Sequence, residues 1–249
     1  MPESAPPSSP VTASPEAARS SAAPTSIPAL SRAEVRELLF DLPWPELRAL
    51  AHQCRLRHKG RHVHVRGLLE FSNVCRRNCR YCGLRHENRH LARYSLSAAE
   101  LLRAASQAVA AGVDTLVLQS GETARNPLWL AQVVRGLKER FGLPVTLSVG
   151  EQPREWYALW REAGADRFLL KHETADARLY AALHPGYRLA DRLRALSWLA
   201  ELGYEVGSGF MVGVPGQRPE SLVDDILLVR DMRVAMCGAG PFVPQADTP

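Results

Sequence analysis

The sequence predicts an α/β fold built on a parallel sheet, and three observations lead to it. Short apolar runs alternate with helical patterns along the chain. The repeat is roughly 30 residues long, which is the length of a strand–helix–strand unit. The runs are apolar throughout, as in strands that are buried on both faces. Such a repeat fits a TIM-type (β/α) barrel or a doubly wound sheet, and the lack of G-x-G-x-x-G after the first strand disfavours the latter.

Six strands and six helical segments follow from these patterns. The strands are predicted at residues 63–71, 115–119, 145–149, 167–171, 206–214 and 234–243. The helices are predicted at residues 31–57, 97–111, 127–141, 153–164, 176–202 and 219–231. Ser31 with Glu34 and Ser97 with Glu100 have the spacing of capping boxes, which mark helix starts.

We predict one folded domain, residues 29–249, after a disordered extension. Residues 1–28 hold seven of the eighteen prolines among many serines and alanines, so they cannot bury enough apolar surface to fold. They lack the apolar segment of a secretory signal, and a cytoplasmic location is expected. A closed TIM-type barrel has eight strands, so six indicate a barrel truncated after the sixth, with its C-terminal part missing. The edge strand of such a truncated barrel would be exposed and would favour aggregation, so we expect poor stability and no activity if the 249 residues are the whole product.

Composition and charge exclude several classes of protein. The 249 residues are 46% hydrophobic and 23% charged, which suits an ordinary globular core. No apolar run approaches the ~18–20 residues of a membrane span. The net charge is +5, but the 31 basic residues alternate with 26 acidic ones, so nucleic-acid binding is not indicated. The five cysteines are an odd number, which argues against a disulfide framework.

Three of these cysteines, Cys75, Cys79 and Cys82, follow the first predicted strand with the spacing C-x3-C-x2-C. Soft thiolates select zinc, copper(I) or an iron–sulfur cluster. A [4Fe–4S] cluster held by three cysteines leaves one iron open for catalysis. A structural zinc module on an α/β scaffold is the non-enzyme alternative, and it needs a fourth ligand. The candidates for that ligand lack the paired spacing of a zinc ribbon: His86, His90, Cys54 and Cys237.

The aromatic Tyr81 directly before the third cysteine completes a pattern that resembles radical S-adenosylmethionine (SAM) enzymes. In that superfamily the cysteine-bearing loop also follows the first barrel strand. The resemblance implies a TIM-type barrel and a [4Fe–4S] cluster on Cys75, Cys79 and Cys82. It also implies that SAM binds the fourth iron and is cleaved reductively. No catalytic residue beyond the cluster and SAM is assigned.

Longer segments resemble one branch of these enzymes. Residues 66–88 read RGLLEFSNVCRRNCRYCGLRHEN, and later segments read LVLQSGE, VTLSVGE and AGADRFLLKHETA. They are similar to the maturase family of [FeFe]-hydrogenases and, less closely, to methylornithine synthases and biotin synthases. The resemblance implies a role in assembly of the diiron subcluster of the hydrogenase H-cluster. A small organometallic or cysteine-derived substrate, partner maturases and an electron donor are implied as well.

The resemblance also implies a set of SAM contacts: Tyr81, Gly121, Glu122, Ser148, Glu173, Arg192 and Met211. Glu173 and Arg192 suit the amino and carboxylate ends of methionine, although an ordinary surface ion pair is the alternative. Gly121 would let the backbone approach the ligand, and Glu122 would accept a hydrogen bond from its ammonium group. Tyr81 would either contact adenine or pack the loop.

Four residues are predicted to face the barrel interior near the substrate: Gln119, Thr146, Arg167 and Met236. For each, a satisfied polar network or ordinary packing is the alternative. Lys171 and His172 are expected to point in opposite directions because strand residues alternate. Cys54 is expected to be a small buried side chain, and Cys237 an unreactive thiol. Four histidines are expected at the surface: His52, His58, His62 and His64.

Overall fold

The computed structural model describes residues 29–123 and 126–249, which form one parallel sheet and the helices around it. Six strands hydrogen-bond in chain order, each parallel to the next. They are β1 (Arg66–Ser72), β2 (Thr115–Ser120), β3 (Val145–Ser148), β4 (Arg167–Leu169), β5 (Glu205–Val212) and β6 (Met236–Pro241). A doubly wound sheet reverses its order at a switch point, so this order identifies the TIM-type barrel arrangement. The predicted disorder of residues 1–28 lies outside the described residues.

Eight helices flank the strands in the described part of the chain. They are α1 (Arg32–Phe40), α2 (Trp44–Lys59), α3 (Ala98–Ala110), α4 (Pro127–Phe141), α5 (Arg154–Glu162), α6 (Ala177–Leu183), α7 (Leu189–Glu201) and α8 (Pro219–Asp231). Both predicted capping boxes are present, at Ser31 and at Ser97. The observed bounds of α3, α4, α5 and α8 agree with the predicted ones to within about two residues, so these four predictions are confirmed.

Two predicted helices are wrong, because each is broken in two. The segment 31–57 divides into α1 and α2 at Pro43, whose ring restricts the residue before it and removes a backbone donor. The segment 176–202 divides into α6 and α7 at Pro185 and Gly186, and Gly186 has a φ of +82°. Strand β4 also ends two residues earlier than predicted.

The two faces of the sheet differ in their surroundings. One face packs against the helices through fully buried side chains: Leu116, Leu118, Leu147 and Phe168. The other face corresponds to the barrel interior, and the strand register places on it Gln119, Thr146, Arg167 and Met236. Arg167 pairs with Thr146 in the register and donates a hydrogen bond to Thr115 of β2 at 3.2 Å.

The cysteines outside the loop after β1 are both exposed. Cys54 was predicted to be buried, and this is wrong, because α2 buries none of its residues. Cys237 lies on β6, at the edge of the described sheet. The surface position of the four histidines is confirmed. In the described residues, no helix has both the length and the apolar character to cross a bilayer.

Candidate active site

The predicted cluster ligands lie on an irregular loop after β1, and we call residues 73–85 the cysteine loop. Arg93 donates hydrogen bonds from its guanidinium to the carbonyls of Asn73, Leu84 and Arg85, at 2.6 to 2.9 Å. Asn88 donates to the Gly83 carbonyl at 2.8 Å. These side-chain donors satisfy carbonyls that have no ladder partner, so they hold the loop in one shape.

Cys75, Cys79 and Cys82 are partly buried free thiols. Burial, together with the neighbouring Cys82 and Cys75, raises the pKa of Cys79 to about 12. As thiolates the three groups would repel one another, and a positively charged metal group would stabilise them. Three soft donors on one loop fit three irons of a [4Fe–4S] cluster. Within the described residues, no three His, Cys, Asp or Glu side chains form a site for a single metal ion.

Gly121 lies where the end of β2 meets the cysteine loop. Its N–H donates to the Ser72 carbonyl at 3.1 Å. A Cβ atom added to Gly121 would lie 2.4 Å from the Val74 carbonyl oxygen and 2.8 Å from Cys75 Cβ. Close approach of backbone is therefore the reason for this glycine, and the group that approaches is the cysteine loop itself.

Three buried charged residues and the partly buried Glu151 join this loop to the neighbouring elements, and we call Arg77, Glu122, Glu151 and Arg192 the charge network. Arg77 donates from Nε to Glu122 Oε1 at 2.6 Å, and its Nη2 lies 2.8 Å from Glu151 Oε2. Arg192 of α7 donates to Glu151 Oε1. Two guanidinium groups and two carboxylates alternate, so each buried charge has an opposite partner.

Glu122 is held entirely by protein donors. Its Oε1 accepts from Arg77 and also from Arg76 at 3.0 Å, and its Oε2 accepts from the Glu151 N–H at 2.8 Å. A Cβ atom on Gly150 would lie 2.6 Å from the Glu122 side chain, so only glycine leaves room for it. A contact between Glu122 and the SAM ammonium stays a prediction. The ammonium would have to share the Glu122 oxygens with these protein donors.

Arg192 combines two fixed contacts with an open Nη2 group. Its Nε bonds Glu151 and its Nη1 donates to the Lys171 carbonyl. In the described part of the chain, its Nη2 has no hydrogen-bond partner. Although burial disfavours the charge, the Glu151 carboxylate keeps the pKa of Arg192 above its ordinary value. The side chain thus presents a permanently charged, oriented N–H group to the site.

Glu173 lies in the turn after β4 and has a φ of 66°. Its N–H donates to the Gly209 carbonyl at 2.9 Å, and its carbonyl accepts from the Met211 N–H at 3.1 Å. Burial raises the pKa of Glu173, and Lys171 and Arg192 oppose that rise. A buried carboxyl group in this position gains from an incoming ammonium group, which would neutralise its charge.

Tyr81 packs within the protein in a defined way. Its hydroxyl lies 3.0 Å from His184 Nε2, and the two rings meet edge to face with their centroids 5.3 Å apart. Met211 is partly buried and packs against the same apolar cluster as Tyr81. Ser148 is half-buried at the end of β3, beside Gln119 in the register. Adenine contacts by Tyr81 and Met211 and a SAM contact by Ser148 stay predictions.

The predicted substrate residues are spread along the strands. Gln119 lies 3.4 Å from the Glu70 carboxylate, and the buried Thr146 hydroxyl has no hydrogen-bond partner among the described residues. Arg167 is paired with Glu205 at 2.5 Å. Arg167 and Met236 line a cavity of about 570 Å³ at the amino-terminal edge of the sheet. The structure therefore brings Glu173, Arg192 and Gly121 to the cysteine loop, but it does not bring Arg167 or Met236 there.

Several residues that shape this site were not predicted from the sequence. Arg77 lies within the cysteine loop with its guanidinium 3.4 Å from the centre of the Tyr187 ring, and no local pattern marks it. Glu151 could have been found, because Gly150–Glu151 after β3 repeats the Gly121–Glu122 pair after β2. Parallel strands end at the same edge, so two such pairs on neighbouring strands predict neighbouring carboxylates.

The sequence profile of the Radical SAM superfamily matches residues 69–229. The chain is 49% identical over 203 residues to the [FeFe] hydrogenase maturase subunit HydE of Thermotoga maritima, covering 80% of this chain and 58% of that protein. It is 29% identical over 226 residues to 3-methylornithine synthase of Methanosarcina acetivorans, covering 88% of this chain and 64% of that protein. The chain thus spans about three fifths of the length of these curated relatives.

Solved structures show the same fold. The crystal structure of methylornithine synthase (PylB) superposes with a TM-score of 0.81 and 28% sequence identity. The match covers 88% of this chain and 66% of that chain. The six described strands and their helices therefore follow the barrel arrangement of that enzyme.

Proposed function

The chain belongs to the radical SAM superfamily, and from this we propose that it reductively cleaves SAM at a [4Fe–4S] cluster held by Cys75, Cys79 and Cys82. One observation carries the proposal. Three partly buried thiols lie on the loop after β1, and Cys82 and Cys79 are within electrostatic reach of Glu173 and Arg192 respectively. When bound, the cluster would supply the electron that breaks a carbon–sulfur bond of SAM.

The chain's own residues would bind and orient the ligand. Glu173 would accept hydrogen bonds from the amino group of the methionine part, because burial disfavours the charge of its carboxylate and an ammonium group would stabilise that charge. Arg192 would donate to the carboxylate through Nη2, since its other donors are already committed. The charge network would hold the cysteine loop against the strand ends, and the buried setting would limit entry of water.

We further propose that this activity serves maturation of an [FeFe]-hydrogenase, acting on a small organometallic or cysteine-derived substrate. The sequence identity to HydE, at 49%, is higher than that to 3-methylornithine synthase, at 29%, and this difference supports the choice. Delivery of the substrate by partner maturases and reduction by an electron donor belong to the same proposal. Residues 29–249 would form one barrel domain, and free thiols in a cluster loop suit a cytoplasmic, reducing compartment.

Anaerobic reconstitution with iron and sulfide tests the proposal. We expect about four irons per chain and conversion of SAM to 5′-deoxyadenosine. Cys79→Ala should abolish cluster binding, whereas Cys54→Ala should retain it, because Cys54 is exposed on α2. One tightly bound zinc ion per chain without SAM cleavage would overturn the proposal in favour of a structural zinc module.

A further inference from the structure

A buried polar pair lies behind the Glu173 turn, between the sheet and α8. The side chains of His172 and Asp225 are 1% and 0% exposed, and His172 Nε2 lies 3.4 Å from Asp225 Oδ1. Within the described residues, His172 Nε2 and Asp225 Oδ2 have no hydrogen bond of normal length. Burying an ionisable pair is costly, and apolar residues of the same size would often serve stability as well. The pair therefore calls for a reason other than packing.

His172 is anchored on β5. Its N–H donates to Ser208 Oγ at 3.1 Å, and its ring Nδ1 lies 2.9 Å from the same oxygen. Ser208 Oγ accepts from the amide, and we assign its own proton to the bond with Nδ1. The ring proton then lies on Nε2, the nitrogen that faces Asp225.

Asp225 also holds the far side of the turn. Its Oδ1 accepts the N–H of Ala175, and the Thr174 N–H donates back to the His172 carbonyl at 2.8 Å. One carboxylate on α8 therefore contacts residues 172 and 175, which flank Glu173. The chain between these two points has little freedom to rearrange.

Glu173 needs such a restraint because of its backbone. In the described part of the chain, Glu173 and Arg233 are the non-glycine residues with a positive φ. A side chain with a Cβ atom disfavours this region, and such conformations persist where the surroundings determine them. Relaxation of the turn would move the Glu173 carboxyl group away from Arg192 and the cysteine loop.

We infer that Asp225, acting with His172 and Ser208, is a positioning residue that holds Glu173 in its left-handed conformation and so prepares the turn for SAM. This inference rests on the proposed function for the identity of the ligand. Neither Asp225 nor Ser208 lies on the interior face of the barrel, so their contribution is made through the backbone of residues 172–175.

Hydrogen–deuterium exchange on the metal-free chain tests the restraint without any cofactor. Asp225→Ala should speed exchange of the peptide 172–176 at least tenfold, and exchange in β2 should stay as in the wild type. The matched control is Asp224→Asn, the neighbouring residue on α8, whose side chain is 42% exposed and pairs with Arg32. Asp224→Asn should leave the 172–176 peptide unchanged.

SAM affinity of the reconstituted holoprotein tests the consequence. We expect Asp225→Ala to weaken SAM binding about tenfold at unchanged iron content, Asp225→Asn to recover most of that loss, and Asp224→Asn to match the wild type. The amide oxygen of asparagine can still accept the Ala175 N–H, which is why recovery is expected. Should Asp225→Ala not fold, Ser208→Ala, which removes one hydroxyl, should produce the same two effects.

Unchanged exchange of the 172–176 peptide in these variants would overturn the inference, as would a loosened turn with unchanged SAM affinity. If the wild-type holoprotein bound no SAM, the proposed function would fail. The exchange experiment would then still decide whether Asp225 holds the turn.

Discussion

His184 is kept neutral by the groups around its ring. Its Nδ1 lies 3.0 Å from the Tyr180 carbonyl and its Nε2 lies 3.0 Å from the Tyr81 hydroxyl, so Nδ1 donates and Nε2 accepts. Burial, assisted by Arg192, lowers the pKa of His184 from 6.5 to about 4. A neutral ring beside Tyr81 avoids placing another cation next to Arg192.

The shift of His184 predicts a dependence of stability on pH. Between pH 6.5 and about 4 the unfolded chain protonates this histidine and the folded chain does not, so stability falls as the pH decreases through that window. The slope of the unfolding free energy against pH reports how many more protons the unfolded chain binds than the folded chain, and His184→Gln should lower that number by up to about one. Urea unfolding of the metal-free chain measures it, and His90→Gln, at an exposed position, is the control. An equal slope in wild type and His184→Gln would contradict this account.

At the scale of elements, the cysteine loop is connected to its neighbours through paired charges. Arg77 connects it to Glu122 at the end of β2 and to Glu151 at the end of β3, and Arg192 extends the connection to α7. Gly121 and Gly150 remove the side chains that would block these approaches. Four elements thus meet through one set of paired charges.

Loss of Arg77 should therefore cost far more than loss of its neighbour. Arg77→Met leaves the buried Glu122 and the partly buried Glu151 short of a partner, and we expect it to lower the free energy of unfolding by about 3–5 kcal/mol. Arg76→Met removes a side chain that is 46% exposed, and about 0–1 kcal/mol is expected. Denaturant unfolding of the metal-free chain measures both values. Similar losses in the two variants would show that burial of the charge network does not matter.

At the scale of the whole molecule, stability is concentrated on one side of the sheet. The principal core lies between β1–β5 and helices α3, α4, α5 and α7. Helix α2 buries none of its residues, although Leu50 and Trp44 on it are large and apolar. Removal of apolar side-chain atoms should therefore lower the free energy of unfolding strongly in the packed core and weakly on α2. The reason is that a cavity forms only where the surrounding atoms are packed.

Two leucines test this distribution. Leu118→Ala, at a fully buried position on β2, should destabilise the chain by about 2–5 kcal/mol. Leu50→Ala, on α2, should change the unfolding free energy by less than about 0.5 kcal/mol. Thermal or denaturant unfolding compares them. A large loss from Leu50→Ala would mean that α2 is packed in solution.

Much of the fold could be predicted from the sequence because its signals are local. Capping boxes at Ser31 and Ser97 and the apolar runs of the strands depend on residues close together in the chain. Pro43 and Pro185 were equally local signals, and reading across them produced the two wrong helices. The barrel was predicted over a doubly wound sheet from the lack of G-x-G-x-x-G and from the family resemblance, and the strand order confirms that prediction.

The candidate site divides in the same way. Cys75, Cys79 and Cys82 lie within eight residues, so the sequence by itself determined that three thiols share one loop. The tertiary structure decided that Glu122 pairs with Arg77 and accepts the backbone N–H of Glu151, and that Asp225 holds a turn 50 residues before it in the chain. Such pairings depend on the distances between packed elements. A buried charge must find its partner among whatever side chains the fold brings near, and no local pattern records that choice.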